Sequence, residues 1–187
     1  MSALESLYQQ LIIAIATNVN AIFDKSFETK SFDGRPWKHR IPGNVKFPGA
    51  LLMNSGNLRR SLKYNISGNT ITWTSNLPYA KIHNDGGLIT VTPKMKRFFW
   101  AMHYKYAKRV KRGKKGQVLK ASLANNDIAE FYKRMALKKV GSRIWIRRRR
   151  FIGPSKEVDA KVKKIMDAFM KKLSDAIARQ AKARAKS

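Results

Sequence analysis

The longest regular pattern in the chain is apolar at Leu4, Leu7, Tyr8, Leu11, Ile12, Ile15, Val19, Ile22 and Phe23. Steps of three and four place these side chains on one stripe of a helix, and Ser2 with Glu5 three positions later has the arrangement of a capping box. Residues 31–50 interrupt it: three prolines and three glycines in that stretch predict a loop. Alternation then takes over. Leu62, Tyr64 and Ile66 share one face, Ile71 and Trp73 another, and "SGNT" between them supplies a tight turn, so two antiparallel strands are expected. "LITVTP" reads as a short strand closed by Pro93, after which Met95, Phe98, Phe99, Met102 and Tyr106 return to helical spacing.

Two more elements and a closing helix follow. Ile128, Phe131, Tyr132 and Met135 predict a short helix that starts at a cap-like Asn or Asp just before Ile128. "SRIWIRRRRFIGPS" predicts a strand with Ile144 and Ile146 on one face, Arg148 a candidate for the same face, terminated by Gly153 and Pro154. The final helix has Ser155 as N-cap, Glu157 and Asp159 in its first turn, and a stripe from Val158 through Val162, Ile165, Met166, Phe169 and Leu173 to Ile177. The basic tail near 178–187 is expected to fray. Together these elements predict an α+β fold in a single domain over residues 1–187, a small antiparallel sheet packed by long N-terminal and C-terminal helices.

Charge changes the picture most. Forty Lys and Arg oppose eleven Asp and Glu, a net charge of +29 over 187 residues. Residues 94–150 hold twenty Lys and Arg and only two acids, Asp127 and Glu130, whereas residues 1–33 are nearly neutral. Self-repulsion of that size implies a polyanion or an acidic neighbouring subunit. The loop near 105–120, "KRVKRGKKGQVLK", is too charged and too broken by glycine to pack, so it is exposed or disordered. Its Lys108, Arg109, Lys111, Arg112, Lys114 and Lys115, with Arg147, Arg148, Arg149 and Arg150 of the arginine run, are the candidate contacts for DNA or an acidic partner. Trp145 or Tyr104 could add stacking. No helix-turn-helix, zinc-finger or RRM signature is present, so contact with backbone and shape is expected rather than base readout.

Catalytic chemistry finds little support. The stretch "YAKIHNDGG" puts His83 beside Asp85, which would suit a base oriented by a carboxylate or a metal ligand with its supporting shell. No nucleophile accompanies it, and His39 and His103 stand at no ligand spacing from it. The preferred reading is a structural turn formed by Tyr79, Ala80, His83, Gly86 and Gly87, with Tyr79, Ala80 and Ile82 toward the core, His83 and Asn84 bonding turn backbone, and both glycines at positive φ. The acids are scattered, without the pairing that two-metal nucleases and glycosidases need, and no phosphate-binding glycine loop is complete. We therefore expect no enzyme, no catalytic or metal-binding residues and no cofactor. Absent cysteines fit a reducing cytoplasm. "LIIAIA" is far shorter than a membrane span, and the N-terminal residues lack a basic signal region, so no membrane partner is expected.

Three segments in order carry a family resemblance. In "LLMNSGNLRRSL" it rests on Leu52, Ser55, Gly56, Leu58 and Ser61; in "YAKIHNDGG" on Tyr79, Ala80, His83 and Gly86; in "RRFIGPS" on Phe151, Ile152, Gly153 and Ser155, with Trp37 upstream. The set resembles the phage virion morphogenesis and tail completion family over roughly residues 1–180. The resemblance implies a non-enzymatic protein of the virion, made in the host cytoplasm, at the head–tail junction. There it would form a homo-oligomeric ring, typically of six subunits, that caps the tail tube and receives the head connector, with double-stranded DNA in its lumen. The arginine run stands where the family has a proline before "FIG". A sequence-nonspecific nucleic-acid-binding protein is the alternative reading.

Overall fold

The computed structural model describes residues 3–39, 51–53 and 55–184; the expected cap at Ser2 and residues 40–50 of the proline-rich stretch lie outside them. Its elements are α1 (Ala3–Thr29), β1 (Ser31–Phe32), β2 (Arg35–Pro36), α2 (Asn57–Ser61), β3 (Leu62–Ser67), β4 (Thr70–Ser75), α3 (Ala80–Asp85), β5 (Gly87–Thr90), α4 (Pro93–Ala107), α5 (Leu123–Ala136), β6 (Arg143–Ile146) and α6 (Lys156–Arg184). The class is α+β, as the patterning predicts. The strands, however, do not join into one sheet. They form three two-stranded antiparallel ribbons, β1–β2, β3–β4 and β5–β6.

The chain divides into two compact units, the first drawn from Met1–Trp37, Ser55–Ala80 and Arg149–Ser187, the second from Lys38–Asn54 and Lys81–Arg148. In the first unit α1 packs on α6. The α1 stripe buries Val19 and Phe23 with Phe32, and around them gather Leu62 and Trp73 of the β3–β4 ribbon and Ile152, Val158 and Val162 at the start of α6. The two long helices thus meet one face of a ribbon, as expected. Phe23 meets Trp73 edge-on at 5.6 Å, and Phe27 lies against Phe151 at 5.1 Å and Trp37 at 5.7 Å. Ser155 caps α6 as its sequence position predicts, its Oγ accepting from the Val158 amide at 3.1 Å.

Part of the stretch read as loop is a tight hairpin. Asp33 and Gly34 both take positive φ (52° and 72°), the geometry that Asp-Gly supplies between two strands. The Trp37 amide donates to the Lys30 carbonyl at 2.7 Å and closes its base. The turn reaches α6, where the Glu157 amide donates to Asp33 Oδ1 (3.3 Å), a carboxylate on the positive end of the helix dipole.

In the second unit α4 and α5 form an antiparallel hairpin of helices, burying Tyr106, Ile128 and Ala129 among Met102, Ala107 and Tyr132. Thr92 caps α4 through its side chain, and Pro93 occupies the first turn, where its missing N–H costs nothing. Helix α5 begins earlier than expected, at Leu123, after a 3-10 turn over Lys120–Ser122. The cap-like Asn125, Asn126 and Asp127 therefore lie inside the helix. Strand β6 ends at Ile146 because its partner begins at Gly87, the residue opposite; beyond that point Arg147 and Arg148 have no strand to pair with.

Candidate nucleic-acid interface

The basic loop connects α4 to α5, and it is exposed and internally bonded. Arg112 and Val118 form an antiparallel bridge; the Leu119 amide donates to the Lys111 carbonyl (3.0 Å), and the Gly113 amide to that of Gln117 (2.9 Å). The Lys111 amide donates to the Oγ of buried Ser122 (3.0 Å), anchoring the loop to the start of α5. Arg112 Nη1 donates to the Gly116 carbonyl (3.0 Å), so this guanidinium braces the turn. Lys108, Arg109, Lys111, Lys114 and Lys115 are exposed, and Arg109 lies 5.7 Å over the Tyr106 ring. The turn therefore exposes its lysines on a hydrogen-bonded backbone frame.

The four arginines after β6 diverge. Arg148 is exposed and Arg147 half-buried, both in the second unit. Arg149 and Arg150 belong to the first unit, where Arg149 is buried at 6% exposure. Arg150 lies 5.7 Å over the Phe32 ring, and its carbonyl accepts from Trp37 Nε1 at 2.6 Å. Its backbone and side chain thus help to build the core. In the described fold Arg148 alone of the run is exposed as the loop lysines are.

The "YAKIHNDGG" stretch is a short helix ended by two glycines. Ala80 is buried, Ile82 and His83 are half-buried, and Tyr79 is 40% exposed rather than turned into the core. Asn84 Nδ2 donates to Asp85 Oδ1 (2.8 Å), a side-chain partner beyond the backbone bonding foreseen for it. The Gly86 amide donates to the Ile82 carbonyl (3.0 Å), closing the last turn, and Gly86 and Gly87 take φ of 73° and 135° as expected. A methyl group on Gly86 would stand 2.8 Å from the Arg148 amide nitrogen, so this position is fixed by backbone conformation and by close approach together.

The other two histidines have separate settings. His103 Nδ1 lies 2.9 Å from the Ala129 carbonyl and joins α4 to α5; His39 is exposed. Among the described residues no group of three or more His, Asp and Glu is placed to hold a metal ion. No helix among them is long and apolar enough to cross a membrane.

The serines and leucines of the first motif also have physical roles. Leu58 is buried on α2, and Ser61 Oγ lies 2.7 Å from both the Leu58 carbonyl and Ser75 Oγ, tying α2 to the end of β4. Arg59 on the same helix forms an ion pair with Asp24 and a second with Glu28 (2.6 Å) on α1. The hydrogen bond to Asp24, then the one to Glu28, raises the Arg59 pKa above its ordinary value, so this side chain stays a cation. Sequence patterning did not single it out, because its partners lie more than thirty residues away.

The sequence model of the phage virion morphogenesis family matches residues 3–173, which takes in all three motifs and both units. No curated protein and no solved structure matches the chain. The chain belongs to the phage virion morphogenesis family and takes part in building a bacteriophage particle together with other virion proteins.

Proposed function

We propose that this protein is a structural component of the head–tail junction: a ring of identical subunits, six in the simplest case, that caps the tail tube and joins it to the head connector while DNA passes through its lumen. The observation that carries the reading is the charge layout. Residues 86–126 contain no acid, and the turn at their centre holds its lysines outward on a hydrogen-bonded frame. Subunits this basic repel one another unless a polyanion lies between them. A closed ring around DNA brings such a polyanion to every subunit. The histidine stretch acts in this reading as a structural corner, and the protein has no catalytic task and needs no cofactor.

Quantitative mass spectrometry of density-purified particles, with free tails and tail-less heads as separate fractions, tests the placement. A few copies per particle, retained in finished tails, is the expected result. Recovery on free DNA with none in particles would refute the junction and favour an independent nucleic-acid-binding protein.

A further inference from the structure

The basic loop has a continuation that charge counting along the sequence does not single out. Lys94, Arg97, Ala101, Tyr104 and Lys108 follow one another along α4 at steps of three and four, with Lys105 beside them, and all six are exposed. Helical geometry puts them on one face, opposite the buried Tyr106 and half-buried Met102 that pack against α5. The helix contains no acid. Its cations stand at like-charge spacings, Lys94 with Arg97 and Lys105 with Lys108, where each raises the electrostatic cost of the next. The outer side of α5 is different: Asp127 and Glu130 precede Lys133 and Arg134 there, all exposed, so both signs are present. Of the two helices in this hairpin, only α4 shows solvent a face of a single sign.

We infer that the exposed face of α4 is a track for the phosphate backbone of duplex DNA, continuous with the loop that begins at Lys108. The inference rests on the DNA-contact reading above and specifies which side of the hairpin makes the contact. From Lys94 to Lys108 the helix rises about 21 Å at ~1.5 Å per residue. Duplex DNA carries a charge about every 1.7 Å of its axis, so each of the four cations on this face has a phosphate within reach along that length. Tyr104, 58% exposed between Arg97 and Lys108, brings a hydroxyl that can donate to a phosphate oxygen. Its ring is stacked on Trp100 (5.8 Å, 24°), and Phe98, 53% exposed at the same helical spacing, meets Phe99 and Tyr132 edge-on (5.8 and 6.2 Å), so both exposed rings of this face are already engaged by neighbouring rings. The row of cations therefore dominates the face, which favours duplex over single strand.

The test measures binding of the full chain to a short fluorescein-labelled duplex by anisotropy, from about 50 to 200 mM salt. Three variants are compared: Lys94→Gln/Arg97→Gln/Lys105→Gln/Lys108→Gln on α4, Lys133→Gln/Arg134→Gln on α5, and Lys114→Gln/Lys115→Gln in the loop. Circular dichroism melts verify that each remains folded. The α4 variant is expected to lower the slope of log K against log salt by about 3.6, at ~0.9 for each phosphate no longer neutralised, with the α5 variant close to wild type. Equal losses from the α4 and α5 variants would show a diffuse positive cloud and overturn the track. So would a slope that only the loop variant changes, or a wild type that ignores duplex yet binds polyglutamate through the α4 lysines, which would make the partner an acidic protein. The junction placement is read separately from the particle fractions. A protein present in finished tails but indifferent to duplex refutes the track alone, whereas one that binds through α4 but is missing from tails retains the track and removes the junction.

Discussion

Replacing Gly86 with alanine imposes two costs at one position, and a second glycine separates them. At φ of 73° an alanine pays the left-handed penalty of about 1–2 kcal/mol. Its methyl group would also stand 2.8 Å from the Arg148 amide nitrogen and 3.0 Å from the Arg148 Cα, both backbone atoms that cannot swing aside. Making room for it should cost a further ~1–3 kcal/mol, the range for an overpacked site. Gly116 at the tip of the basic loop has nearly the same φ, 79°, with no atom within 4 Å of the added methyl. Gly116→Ala is therefore expected to lose about 1–2 kcal/mol, and Gly86→Ala about 2–5 kcal/mol. Urea unfolding followed by circular dichroism gives the difference as a shift in midpoint at constant slope. Hydrogen exchange should locate the added loss in the amides of β5 and β6, whose pairing begins at Gly87 opposite Ile146. Two variants that agree within ~0.5 kcal/mol, less than the ~1–3 kcal/mol that overpacking should add, would refute the argument that close approach, and not conformation alone, requires glycine here.

Trp37→Phe keeps an aromatic ring against Phe27 but removes the Nε1 donor to the Arg150 carbonyl. The expected loss is about 1–3 kcal/mol, the cost of leaving a part-buried acceptor unsatisfied, read from chemical unfolding; an unchanged midpoint would show that water replaces the bond. Arg59→Gln should cost about 0.5–1 kcal/mol, as befits a partly exposed pair. A base whose pKa is raised on folding stabilises fully below its ordinary value and stops doing so only above it. The difference between wild type and Arg59→Gln should thus stay flat from about pH 7 to pH 10; a difference that collapses within that window would rule out the ion pair as its source.

What the sequence made legible is what local periodicity can express. The stripes of α1 and α6, the Ser155 cap, the β3–β4 hairpin and the positive φ of Gly86 and Gly87 each depend on residues a few positions apart. The Asp33–Gly34 turn was visible in principle, since Asp-Gly is a strong hairpin signal, but the flanking strands are too short for alternation to register against so many prolines and glycines. Three separate ribbons in place of one sheet could not be read at all, because strand order depends on contacts that no window contains. The same limit explains the arginine run. Four adjacent cations look equally solvated, yet Trp37 and Phe27 hold the backbone at Arg150 and Phe151 from more than a hundred positions away, and Arg149 ends up buried. The basic face of α4 was legible in its residues and hidden by their mixture with aromatics, until the packing of Tyr106 against α5 fixed which side turns outward.

The division of the chain has a consequence for its synthesis. The helical hairpin of the second unit is made from residues near one another in sequence, so it can form while the ribosome is still adding the rest. The core of the first unit joins Val19 and Phe23 to Val158 and Val162, and α1 has no helical mate until α6 has been translated. Before then the β3–β4 ribbon can cover only the part of the stripe that Leu62 and Trp73 meet. During elongation the rest of the apolar stripe of α1 must therefore wait, exposed, for almost the whole length of the message, which makes it a segment of the nascent protein in need of chaperone cover.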